Sequence, residues 1–194
     1  MNAKKSPISL AKCAYASKDF DRAKILLDRI VSETPGTMEA KAARYLRARG
    51  YEDGNFTCGT NLDEAYEDYV SLSESKGILG SLAMTGCARV LYSKGARENV
   101  REILDRCHEA QSLHSNPKAM MLLGLVHEEI IHDSASAKKW YLMAYKAGLP
   151  WGLRYYAGVQ LKEKKYIRAF LAHVLVFVTS PILVLIYGIR SPFK

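Results

Sequence analysis

The residues of this sequence best equipped for chemistry are a histidine pair, four cysteines and a cluster of carboxylates. His127-Glu128-Glu129-Ile130-Ile131-His132 comes within one residue of the zinc-protease pattern H-E-x-x-H. Its second histidine stands five residues on, not four. At about 100° per residue the two rings then point about 140° apart on a helix, so they cannot share one metal ion. Cys13, Cys58, Cys87 and Cys107 form no C-x-x-C pair, and Cys107-His108 with His114 lacks a third ligand. All four cysteines are expected to be small buried hydrophobes. Asp63, Glu64, Glu67 and Asp68 are spaced to share one helical face. Two carboxylates across a cleft could serve acid–base chemistry such as glycoside hydrolysis. Acids in the first turns of a helix are also stabilising where they stand. They are therefore read as an exposed face, available to dock a basic partner. The sequence contains no G-x-S-x-G, phosphate-loop or dinucleotide-binding pattern. No metal, cofactor or catalytic group is expected.

Elements are needed to position these groups, and charge gives the first division of the chain. The 194 residues carry a net charge of +8. Residues 51–74 hold seven acidic and no basic groups, whereas both ends of the chain are basic. Nucleic-acid binding favours one continuous basic face, and here an acidic block interrupts it. The basic C-terminal end also flanks the most apolar stretch, which favours a membrane surface over nucleic acid.

Helix signals recur in pairs. Ser6-Pro7 reads as a cap followed by proline at the first helical position. Apolar spacing then predicts helices over 7–17 and 20–33, the second stopped by Thr34-Pro35-Gly36. Thr37 caps a helix to about residue 49, and a Gly- and Asn-rich loop follows over 50–60. Asn61 with Glu64 has capping-box spacing. Further pairs are predicted at 78–93 with 96–113, and at 117–132 with 135–147. A last pair is formed by 151–162 and a helix starting near Lys165. First helices thus begin near 7, 38, 78, 117 and 151. Repetition of helical hairpins at about 34 to 40 residues is the mark of an α-solenoid. The expected fold is all-α, with about five hairpins.

The first hairpin resembles a tetratricopeptide repeat, with Leu10-Ala11, Ala14, Ala23, Leu27, Ile30 and Pro35 at matching places. The fourth is similar to a Sel1-like repeat. It reads Ala119 to Leu123-Gly124, then Asp133, Ala137, Trp140-Tyr141, Ala144 and Lys146-Ala147-Gly148. The likeness extends over about 7–170. It implies a non-catalytic adaptor with a concave partner surface. In bacterial members it implies service in envelope-polysaccharide assembly, secretion or signalling. An accessory or small enzyme using the 63–68 acids, or an RNA-binding repeat protein, is the alternative.

Phe170 to Ile189 are 20 consecutive residues without a formal charge. A helix of that length reaches about 30 Å, the thickness of bilayer hydrocarbon. Its thirteen Leu, Ile, Val and Phe residues favour insertion by roughly 4 to 8 kcal/mol. Pro181, near the middle, is tolerated in such helices and would kink this one. Lys162, Lys164, Lys165 and Arg168 precede the span and only Arg190 and Lys194 follow it. With no secretory signal read at the N-terminus, this asymmetry predicts a cytoplasmic repeat domain over 1–165. A transmembrane tail anchor over 166–194 is expected to follow it. A protein partner and a membrane are expected, and no nucleic acid.

Overall fold

The computed structural model describes residues 6–187, with side chains through Thr179. Among them are ten α-helices and no strand. These are α1 (Pro7–Ala16), α2 (Phe20–Glu33), α3 (Met38–Glu52), α4 (Leu62–Ser73), α5 (Gly77–Gly95), α6 (Val100–Leu113), α7 (Pro117–Glu129), α8 (Ser134–Lys146), α9 (Trp151–Lys162) and α10 (Tyr166–Tyr187). Neighbours in sequence pack as neighbours in space. The chain divides into two compact units, Met1–Lys94 and Gly95–Lys194.

Helix starts follow the caps. Ser6, Thr37, Asn61 and Asn116 each accept a hydrogen bond from a first-turn N–H, as do Asp19 and Asp133. Such caps satisfy N–H groups that have no partner inside the helix. Turns inside the hairpins repeat as well. Lys18, His132 and Lys164 all have positive φ, at 63°, 61° and 59°. Each lies just before the second helix of its pair. Around Lys18, the Asp19 N–H bonds back to Ala14 O and the Lys18 N–H to Tyr15 O. Around Lys164, the Lys165 N–H bonds to Gln160 O and the Lys164 N–H to Leu161 O. These are the paired closures of a Schellman turn, which reverses the chain within two residues.

The 50–60 segment departs from expectation. Gly50 and Tyr51 lie inside α3, not in a loop. The reason is tertiary: the Phe56 ring folds back over Gly50, where a Cβ would collide with it. The rest of the segment is pinned to the first hairpin. Asn55 Nδ2 donates to Tyr15 Oη at 2.8 Å, and the Thr57 hydroxyl bonds the Asp21 carboxylate.

In the N-terminal unit the core gathers Ala11, Leu27, Ile30, Ala43, Phe56, Ala65 and Tyr69. In the C-terminal unit it gathers Met120, Ala137, Tyr141, Ala144, Leu149 and Val159. Several of the small and polar positions quoted from the fourth hairpin have structural roles there. Ala119, Ala137 and Ala144 are fully buried, and Asp133 caps α8. Trp140 lies against His108, with ring centroids 5.6 Å apart. A Cβ at Gly124 would collide with the Tyr141 ring, one turn beyond Ala137 on α8.

Helix α10 packs on α9: Ala172 joins a small core with Leu153 and Ala157, and Ala169 is fully buried. Among the described residues no helix is long and apolar enough to cross a membrane. Of the expected span, Phe170 is on the surface. Pro181 has no described side chain, and Ile189 lies outside the described residues.

Replacing Gly124 with Leu would drive its side chain into the Tyr141 ring. It is expected to lower the stability of the C-terminal unit by about 1–3 kcal/mol, read from chemical unfolding monitored by circular dichroism.

Candidate functional site

The acidic face of α4 is less of a face than its spacing predicts. Asp68 is buried, at 5% exposure, beneath Arg47 of α3. Arg47 grips it with Nε and Nη2 at 2.8 and 2.7 Å, and donates from Nη1 to Asp28 of α2 at 2.9 Å. One guanidinium therefore ties three helices together, as a planar fork of donors allows. Asp63 remains at the surface but bonds Lys94 of α5 at 2.5 Å. Asp63, Glu64 and Glu67 are thus exposed, and Asp68 is the buried one of the four. Asp68 fails the expected exposure because a helix that packs on both sides turns its fourth acid inward.

A second buried carboxylate was not legible in the sequence. Glu52, at the end of α3, accepts from Arg89 Nε and Nη2 of α5, both at 2.7 Å, and from Tyr69 Oη of α4 at 2.7 Å. Burial opposes its charge, but Arg89 and Tyr69 outweigh burial and hold the carboxyl below its ordinary value. The Tyr69 phenol is itself raised by burial. Its ring covers Gly86 of α5, where a Cβ would not fit.

The C-terminal unit repeats the arrangement. Glu128 of α7 accepts from Tyr141 Oη of α8 at 2.7 Å and from Lys162 Nζ of α9 at 2.6 Å. Burial and the bond to Glu128 push the Tyr141 phenol up. The Glu128 hydrogen bond likewise raises Lys162. Here the cation is open, with the Lys162 side chain 71% exposed. Beside it lies a cleft of about 530 Å³, lined by Glu128, Glu129, Trp151, Arg154, Tyr155 and Lys162, with Gly158 among them. The Arg154 guanidinium sits 5.3 Å from the Trp151 ring centroid and makes no ion pair among the described residues. Gly158 is the unexpected member. A Cβ there would meet nothing within 4 Å. A glycine inside a helix costs about 1 kcal/mol relative to alanine, and here no packing contact requires it.

The other candidates separate. His127 lies on α7 with Nδ1 4.0 Å from Asp133 Oδ2, whereas His132 stands beyond the helix in the turn. Among the described residues no three potential metal-binding side chains converge. Cys87 and Cys107 are buried as expected. Cys13 and Cys58 are exposed instead, because each falls on the outward side of its segment. In comparisons with known proteins, no family model and no curated protein matches the chain.

Glu52 and Asp28 both ionise in the folded protein below their ordinary values of 4.5 and 3.8. Depressed carboxyls stabilise the fold fully above about pH 5 and lose that contribution as pH falls through the folded values. Stability of the N-terminal unit should therefore fall with acidification below that point. Glu52→Gln should cost about 3 kcal/mol near neutral pH, because it leaves Arg89 without its counter-charge. It should also flatten the acid slope. Urea unfolding as a function of pH checks both.

Proposed function

We propose that this chain is a helical-repeat adaptor, an α-solenoid akin to the Sel1-like and tetratricopeptide family. Its C-terminal apolar helix tethers it at the cytoplasmic face of a membrane. It recruits or assembles a partner protein, and in a bacterial cell the fitting settings are envelope-polysaccharide assembly, secretion or signalling. The sequential packing of capped helical hairpins supports the repeat reading.

The observation that carries the adaptor reading is the cleft beside α9. Its volume falls in the range of ligand sites, yet its chemistry is that of recognition. Trp151 and Tyr155 offer broad aromatic surface, Arg154 a cation with no ion pair among the described residues, and Gly158 leaves the space above it free. Aromatic and arginine side chains are the residues that dominate protein interfaces. A partner segment with an apolar side chain for the aromatic wall and a carboxylate for Arg154 suits this lining. The alternative, an enzyme built on the α4 acids, has less support. Arg47 neutralises Asp68, and Lys94 engages Asp63.

Gly158→Ala should stabilise the C-terminal unit by about 0.5–1 kcal/mol. Gly158→Phe should fill the cleft and abolish partner capture in a quantitative pull-down from membranes, with the unfolding midpoint near that of the wild type. Undiminished capture by the Phe variant would remove the cleft from the proposed function.

A further inference from the structure

Helix α10 has two unlike flanks. Ala169, Ala172, Val176 and Thr179 follow one another at spacings of three and four, which is one stripe of a helix. Ala169 is fully buried and Ala172 nearly so, at 0% and 6% exposure. Val176 packs beside them, and Tyr145 Oη of α8 donates to Thr179 Oγ1 at 3.2 Å. The opposite flank faces out. Ile167 is 78% exposed, Phe170 67%, Leu171 59%, Phe177 84% and Val178 56%. No other exposed large hydrophobics are gathered so densely along one helix of the described chain. A contiguous apolar patch of this kind marks an interaction surface.

Charge says what covers it. Lys165 and Lys138 both bond Glu163, and Lys162 bonds Glu128. Lys164 and Arg168, at the N-terminal end of the apolar flank, are exposed and have no ion pair among the described residues. Residues 164–194 contain no Asp or Glu. A second copy of α10 laid on this flank would offer these cations no carboxylate, whether parallel or antiparallel. An anionic phospholipid offers both a phosphate for the cations and acyl chains for the apolar flank. Tyr166, 64% exposed, sits at the border between the two, where amphipathic rings are favoured at a membrane interface.

We propose that the C-terminal unit meets the bilayer along the exposed flank of α10, with Lys164 and Arg168 binding anionic phospholipid headgroups. The proposal rests on the membrane reading and deepens it. Because the stripe of Ala169, Ala172, Val176 and Thr179 stays packed on the repeat unit, α10 is not a loose leash. The unit itself is drawn down to the headgroup layer.

Full-length protein is titrated with vesicles of phosphatidylcholine alone, or of phosphatidylcholine with phosphatidylglycerol, and separated by flotation. Wild type should partition more strongly into the anionic vesicles. The combined Lys164→Gln and Arg168→Gln variant should lose that preference, on the order of tenfold in partitioning. High salt should reduce the wild-type preference in the same way. Phe170→Ser with Phe177→Ser should weaken binding to both vesicle types. Equal wild-type flotation on both vesicle types overturns the headgroup proposal and leaves the membrane tether standing. No flotation on either overturns both. A dimer in sedimentation velocity that the Phe variant dissociates, and that does not float, assigns the flank to a second copy and overturns the lipid proposal.

Discussion

A short helix in a stack of hairpins must bury two faces, one against its hairpin partner and one against the next hairpin. That requirement governs most of what each unit does. It explains why small residues recur at the crossings: Ala43 and Ala65 in one unit, Ala137 and Ala144 in the other, are all fully buried. It explains why Tyr69 and Tyr141, large residues, lie over glycines: each ring fills the gap that a missing Cβ leaves. It also explains why α10 differs. One of its flanks is packed and the other has no protein to meet among the described residues.

Two-sided packing puts polar groups in places that water does not reach, and each unit answers with a carboxylate shared between three helices. Glu52 and Glu128 each take a tyrosine hydroxyl from the second helix of their hairpin and a cation from the first helix of the next. The bonds are nearly the same length in both. What differs is the cation. Arg89 closes on Glu52 with two parallel bonds, a geometry that fixes the helices' relative position. Lys162 makes a single contact and keeps most of its surface in water. The same arrangement is thus a structural clamp in the N-terminal unit and the rim of a cleft in the C-terminal one. Breaking the Glu52–Arg89 pair is costlier than the pair is stabilising, because Arg89 would be left charged and poorly solvated.

Much of the fold was legible without coordinates because its signals are local. Proline at the first turn of α1 and α7, the caps at Ser6, Thr37, Asn61 and Asn116, and apolar residues at three-and-four spacing depend only on neighbouring residues. The helices α2 and α9 begin and end where those signals put them. Local signals were weaker where the chain folds back on itself. Gly50 reads as a loop residue, yet it belongs to α3 because Phe56, six residues on, needs its bare surface. The turn at Lys18 reads as a break, and it is one, but its positive φ is a closure that spacing does not reveal.

The candidate site divides along the same line. The sequence by itself determined the helical hairpins, the acidic stretch around α4, the apolar C-terminal run and the basic residues in front of it, since periodicity and charge are properties of the chain order. It could not say which acids remain free. Asp68 is buried under Arg47, 21 residues away, and Glu52 is bound by Arg89, 37 residues away. Nothing in linear spacing relates those partners. Nor could it single out Gly158, whose significance is an empty volume, or separate the packed stripe of α10 from its bare flank in a run that is apolar at almost every position. Those distinctions exist only once α8 and α9 are laid against α10, because exposure belongs to the assembled surface and not to the residue.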